Sequence, residues 1–189
     1  MKKFKNRYRI KSTRLPNWNY AGTGKYFITI CTKNREKYFG EIVDGVMISN
    51  DLGKEVERQW LLTPSIRPDM NLTLDEFQVM PNHFHGIIEF GWNKHNKLQV
   101  HNYLSNGLKD SDGTKNIFSN TFGPQRKNLG SVIRGFKSSV TTFARKNKIR
   151  FNWQPKFHDV IIRDDIALNK IRKYIRNNPA NWGKDRFRK

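Results

Sequence analysis

Two runs, "NLTLDEFQVM" (71–80) and "HFHGIIEF" (83–90), are each dense in residues that favour extended backbone, and only Pro81-Asn82 separates them. So short a link predicts an antiparallel hairpin, around which a sheet must form. Alternate side chains of a strand share a face, so His83 and His85 point one way and Phe84, Ile88 and Phe90 the other. Two imidazoles about 7 Å apart along a strand can converge on one divalent ion. They can equally be polar residues on a solvated sheet face. No nearby cysteine and no HExxH pattern specifies zinc.

The flanking segments supply the partners of this hairpin. "YFITICT" (26–32) reads as a buried strand and is followed by a turn-rich stretch. "SNDLGKEVERQWLL" offers Ser49, Asn50 or Asp51 as an N-cap, spaces Leu52, Val56 and Trp60 at helical intervals, and meets Pro64 beyond its end. "LGSVIRGFKSSVTTFARKNK" places Ile133, Phe136, Val140 and Phe143 on one stripe, with Arg134, Lys137, Arg145 and Lys146 off it. "KFHDVIIR" is a further strand, and "DDIALNKIRKYIRNNP" a last helix capped by Asp164 or Asp165 and ended by Pro179. Residues 91–128 are polar, without sustained periodicity, and read as a mobile insertion; residues 1–24 form a basic N-terminal segment. The order strand, helix, strand, strand, helix, strand predicts an α+β, ferredoxin-like split βαβ fold, an antiparallel sheet with helices on one face, followed by an extra C-terminal helix. That fold hosts many functions and decides none alone.

Composition narrows the partners. A chain of 189 residues is long enough for one domain with a real core, and no linker divides it. Its 36 Lys and Arg against 16 Asp and Glu leave a net charge of +20, which opposes compaction unless a polyanion gathers on the surface. Nucleic acid is the natural partner; anionic lipid is disfavoured because no amphipathic anchor helix stands out. The single cysteine, Cys31, allows no internal disulfide and fits a reducing cytoplasm, where a basic DNA-binding chain would associate with the nucleoid. "MKKFKNRYRIKSTR" lacks the apolar stretch of a signal peptide, and no 18-residue apolar run occurs, so neither export nor membrane insertion is expected.

Tyr174 and Asn178 lie four residues apart on the last helix, beside the stripe of Leu168, Ile171 and Ile175 that would meet the sheet. A tyrosine there can be a core-edge residue with a wet hydroxyl, and Asn178 a C-terminal cap. Both can also face the histidines.

The phrases "RLPNWNY", "GKYFITICT", "LDEFQVMPNHFHGII", "IRGFKS", "WQPKFHD" and "IRKYIRNNP" occur in an order that resembles the REP-associated tyrosine transposases, a branch of the HUH single-strand transposases. The similarity spans nearly the whole chain apart from residues 91–128. It implies a single HUH transposase-like domain in which His83 and His85 hold Mg2+ or Mn2+, Asn178 is a further ligand, and Tyr174 is the nucleophile that cleaves single-stranded DNA. Its substrate would be a short imperfect hairpin beside a tetranucleotide. Some HUH relatives build each active site from two chains, so the resemblance leaves a homodimer open. Val160 stands where many relatives carry a polar residue, and His158 reads as an ordinary strand residue.

The implied chemistry is consistent. Two neutral imidazoles and an amide leave the ion almost fully positive, able to polarise a phosphodiester. A free tyrosine has a pKa of about 10, and the ion with nearby cationic side chains would favour phenolate. Attack would give a 5′-phosphotyrosine and a free 3′-hydroxyl, keeping the bond energy for strand transfer without ATP. Basic residues with aromatics suit single strands: Arg14 with Trp18 and Tyr20 at the N-terminus, and Arg134, Lys137 and Arg145 on the helix "VIRGFKSSVTTFARKNK". A second class is a non-catalytic ferredoxin-like nucleic-acid-binding module, but the RNP pattern of such modules is not legible in either "YFITICT" or "HFHGIIEF".

Overall fold

The computed structural model describes residues 3–4, 7–8, 15, 18–96 and 126–188. β1 (Lys3–Phe4) and β2 (Arg7–Tyr8) pair with each other near the N-terminus. β3 (Gly24–Cys31) leads to a hairpin of β4 (Gly40–Val43) and β5 (Val46–Ser49), where sequence reading expects only turns. Asp44-Gly45 makes the connection with φ of 50° and 76°, the two positive values that a tight I′-type turn requires. α1 (Asp51–Leu61) follows, with Asn50 as N-cap accepting from the Gly53 N–H, then the single turn α2 (Thr63–Ile66). The predicted central hairpin is β6 (Leu72–Met80) and β7 (His83–Phe90). α3 (Leu129–Lys146), β8 (His158–Ile162) and α4 (Asp165–Asn177) complete the chain, α3 capped by Asn128 and α4 by Asp164.

The main sheet has the order β6-β7-β3-β8 and is antiparallel throughout. Two β-α-β crossovers, β3-α1-β6 and β7-α3-β8, produce that order, which is the expected ferredoxin-like α+β arrangement. α1 and α3 cover one face, where Leu52, Val56, Trp60, Val132, Ile133, Phe136 and Val140 meet Tyr26, Ile28, Ile30, Phe84 and Ile88. α4 covers part of the other through Leu168, Ile171 and Ile175 against Phe27, Ile87 and Ile162. The odd and even residues of β7 thus go to different cores, as their alternation requires.

The two ends of the expected insertion at 91–128 are built into the fold. The Gly91 N–H bonds the Asn71 carbonyl, and Asp69 accepts from His95 and Lys127, which pulls its pKa down to about 2. Residues 97–125 lie outside the described residues, as does Arg14. Among the described residues no helix is long and apolar enough to cross a membrane.

Gly86 marks the tightest point between sheet and helices. A Cβ there would stand 2.8 Å from both Trp60 Cζ2 and Phe84 Cε1, two rings that are fully buried. Gly86→Ala should therefore lower the stability by about 1–3 kcal/mol through overpacking. The urea midpoint of purified protein measures it, and an unchanged midpoint would contradict this packing.

Candidate metal and nucleophile site

β7 lies between β6 and β3, with Thr29 opposite His85 and Cys31 opposite His83. Both histidines are 0 % exposed. Buried imidazoles need partners, and these are fixed. Asn82, in the two-residue turn, donates from Nδ2 to the carbonyls of Arg35 and Phe187 at 3.1 and 2.8 Å. Its Oδ1 is thereby turned toward His83 Nδ1, 2.8 Å away, which must supply the hydrogen. His85 Nδ1 lies 2.9 Å from Thr29 Oγ1, a hydroxyl able to accept its hydrogen, and a hydrogen bond to the Ile28 backbone favours the charged ring against burial. With a hydrogen on each Nδ1, the two Nε2 atoms face each other at 3.0 Å, both as acceptors, with the Tyr174 hydroxyl 3.3 Å from that of His85. Two lone pairs at that distance repel unless a cation lies beside them.

Neither ring relieves the repulsion by protonation. Burial holds the His83 pKa well below its ordinary value, with the charges of Arg35 and Arg186 adding to the effect. Burial, then Arg186, holds His85 at about 3. Both are therefore neutral, the ligand form.

Two buried side-chain oxygens without a donor lie beside the pair. Asn178 ends α4, is 4 % exposed, and lies close enough to bias the titration of both His83 and Tyr174, yet its Oδ1 has no donor. Asp185 follows the turn Trp182–Lys184; its side chain is 3 % exposed, its Oδ2 lies 3.7 Å from His83 Nε2, and it too has no donor. Ligand atoms of His83, His85 and Asp185 all fall within 4.8 Å of one another. Two bare imidazole nitrogens and two buried orphan oxygens are a donor set that fits a divalent ion, and the group could bind one. The resemblance implied His83, His85 and Asn178 as ligands, and Asp185 was missed. The available signal was its being the lone acid in the basic end "KDRFRK".

α4 is held in the rotation that presents these groups. An irregularity between Leu74 and Phe77 of β6 brings Asp75 and Glu76 to Arg172 and Arg176, with oxygens 2.6 and 2.8 Å from the guanidinium nitrogens. On the adjoining side of the helix the Tyr174 hydroxyl donates toward His85 Nε2 at 3.3 Å, while the ring packs edge-on to Phe27. Tyr174 is nevertheless 41 % exposed, so a macromolecular ligand can reach it. Its pKa is raised, chiefly by burial of the hydroxyl end and then by Asp185, against weaker lowering by Asn178 and Arg186. The side chains alone therefore hold the phenol protonated, a correction to the expectation that neighbouring cations would favour phenolate.

The C-terminal residues roof the site. The Phe187 ring lies 4.9 Å from that of His83 and 5.9 Å from that of His85, and the Trp182 ring 6.1 Å from His83. Elsewhere, the Trp18 indole N–H donates to the Tyr26 hydroxyl, and Lys137 Nζ donates to the carbonyls of Gln154 and Lys156, so both expected DNA contacts are engaged within the fold. Arg134 and Arg145 are exposed on α3. His158 is exposed opposite Thr29, and Val160 is 53 % exposed, opposite Phe27.

No family model matches the chain. An uncharacterized protein of Haemophilus influenzae is 39 % identical over 178 residues, covering 94 % of this chain and 92 % of that protein. The chain belongs to its family. Among solved structures, a REP-associated tyrosine transposase bound to a REP hairpin superposes with a TM-score of 0.55 at 16 % identity, over 92 % of this chain and 75 % of that one. The two share a fold.

The histidines give a test by pH. They stay neutral in the native protein while the unfolded chain takes up protons below about 6.5, so the unfolded state binds more protons and stability falls as pH drops from about 6.5 toward 3. Urea titrations across that window should show the loss, and His85→Gln should flatten it; an identical slope in the variant would refute burial as its source.

Proposed function

We propose that the protein is a metal-dependent single-stranded DNA endonuclease and strand transferase of the tyrosine-transposase type, acting at hairpin-bearing DNA of the nucleoid. The observation that carries this reading is the Tyr174 hydroxyl 3.3 Å from His85 Nε2, at the point where two bare imidazole nitrogens and two orphan oxygens converge. A purely binding module has no use for a buried, unsatisfied donor set beside an accessible phenol. The fold shared with a hairpin-bound tyrosine transposase and the net charge of +20 agree with it.

His83, His85, Asn178 and Asp185 would hold Mg2+ or Mn2+. Bound there, the ion would supply Lewis-acid polarisation of a phosphate oxygen. Asn82, Thr29 and the Ile28 backbone keep the imidazoles oriented, and Asn178 steadies the phenol. Tyr174 Oη attacks phosphorus; the O–P bond forms as the P–O3′ bond breaks. The phenol proton leaves to water past the exposed ring edge, and the departing 3′-oxygen takes a proton from water. The phosphotyrosine retains the ester, so a second 3′-hydroxyl can reverse the step. Arg14, Arg134 and Arg145 are assigned to phosphate contacts, Lys137 to shaping the turn at 154–156, and Trp18 to ordering the N-terminal approach.

Wild-type protein incubated with labelled single-stranded hairpin oligonucleotides and Mn2+ should yield a covalent adduct at Tyr174 by mass spectrometry. Tyr174→Phe should yield none while hairpin affinity persists, because most affinity comes from phosphate contacts. His83→Ala or His85→Ala should likewise bind without cleaving. Hairpin binding with no adduct under any metal would instead establish a binding module, and linkage at another residue would displace Tyr174. Asp185→Asn should weaken Mn2+ binding, read by calorimetry, by about tenfold or more; unchanged affinity would remove Asp185 from the ligand set.

A further inference from the structure

Beyond the histidines, at the same ends of the strands, lies a cavity of about 500 Å³ lined by Lys33, Asn34, Arg35, Gln154 and Pro155. Its place relative to the site follows from the register. β3 runs past His85 at Thr29 and past His83 at Cys31, then turns at Thr32 into the wall made by Lys33, Asn34 and Arg35. Tyr174 meets the pair at its other end, at His85. Arg35 is the shared boundary: its carbonyl accepts from Asn82, while its guanidinium donates to the Arg186 carbonyl and sits over the Phe187 ring that packs on His83.

The cavity is preformed. Gln154 N–H bonds the Cys31 carbonyl, Lys33 N–H bonds the Asn152 carbonyl, and Thr32 pairs with Trp153, tying the two walls together. Lys137 Nζ holds the second wall from below through the Gln154 and Lys156 carbonyls. Asn34, Arg35 and Lys156 adopt left-handed φ of 55°, 58° and 66° on or beside the two walls. Non-glycine residues in that region cost energy that the surrounding structure must hold in place, and such strain gathers at binding sites.

We infer that this cavity takes the nucleotide immediately 5′ of the scissile phosphate, the one that leaves with the 3′-hydroxyl, and selects its base. The inference rests on the strand-transfer reading above. In-line displacement puts the leaving oxygen opposite the nucleophile, hence away from Tyr174 and toward Arg35. The volume suits a nucleotide-sized ligand. Lys33 and Arg35 supply charge for its phosphate, Pro155 a flat apolar surface, and the Asn34 and Gln154 amides the paired donor and acceptor that read a base edge. Retaining this nucleotide also keeps the 3′-hydroxyl at hand for rejoining. A smaller cavity of about 280 Å³, lined by Tyr174, Lys170, Lys173, Asn177, Asn178 and Asn181, lies on the tyrosine side, toward the 3′ part of the strand.

The test uses the full chain and a hairpin oligonucleotide whose scissile position has been mapped from the wild-type adduct. Single-turnover adduct formation is measured with each of the four bases 5′ of that position, and separately 3′ of it. Wild type should discriminate among the 5′ bases by about tenfold. Gln154→Ala and Asn34→Gly, the latter keeping the left-handed backbone, should bring that preference to within about twofold while leaving the 3′ preference and the thermal midpoint unchanged. A 5′ preference that survives both substitutions, or is absent in wild type, overturns the assignment. If no adduct forms at all, the catalytic reading fails, and a 2-aminopurine walked along the strand still decides the cavity: one position should show quenching that Gln154→Ala abolishes, and no such position would refute base capture.

Discussion

The structure turns on two imidazole nitrogens that face each other bare at 3.0 Å. Left in water, such a pair would separate or share a proton. Here burial disfavours the proton, and the contacts at each Nδ1, to Asn82 Oδ1 and Thr29 Oγ1, hold the rings against rotation. The arrangement is unfavourable on its own, so it must be held by the surrounding structure: a sheet strand packed on both faces, a turn amide, and a helix pinned by two ion pairs to a strand irregularity. Preorganisation of this kind suits a group that could bind a cation, because little reorganisation would remain on binding.

Asn82 shows how much depends on one side chain. It occupies the turn between β6 and β7, is fully buried, and joins segments far apart in the chain: the carbonyl of Arg35, the ring of His83 and the carbonyl of Phe187. Its amide orientation decides which nitrogen of His83 is free. The same contact anchors the C-terminal residues, so the tautomer at the site and the placement of Asp185 have a common origin. A turn in a two-residue hairpin can tolerate many polar residues; a side chain that must donate twice and accept once in a dry interior is limited to an amide.

This division explains what was legible beforehand. The four strands of the main sheet and the three main helices follow from local periodicity and the topology from their order, while periods of two and about four residues put His83 with His85 and Tyr174 with Asn178; that the two pairs share one site was implied by the resemblance. The β4–β5 hairpin was also written locally, in Asp44-Gly45, but its strands are only four residues long and half exposed, so their alternation reads as turn. Asp185 carries no periodicity. It reaches the site because Phe187 and Trp182 pack on His83 and because Asn82 holds the Phe187 carbonyl, the last a contact spanning 105 residues. Lys137 misled for the opposite reason: a lysine off a helix stripe reads as solvated charge, and only the fold shows its ammonium turned to two carbonyls and its pKa lowered to about 8 by burial.

Asp185 also changes the electrostatics of the chemistry. With two imidazoles and an amide a divalent ion would keep nearly all its charge; a carboxylate halves the formal charge left to act on phosphate. The same carboxylate raises the Tyr174 pKa. Both effects make the resting site less reactive, and both act through a buried oxygen that has no donor of its own. On the proposed reading, in a chain whose net charge of +20 would gather polyanions indiscriminately, a phenol held protonated until cation and phosphate arrived together would separate binding from cleavage. Affinity would then come from charge spread over the surface, and reaction only from a strand that fitted between Tyr174 and the wall at Arg35.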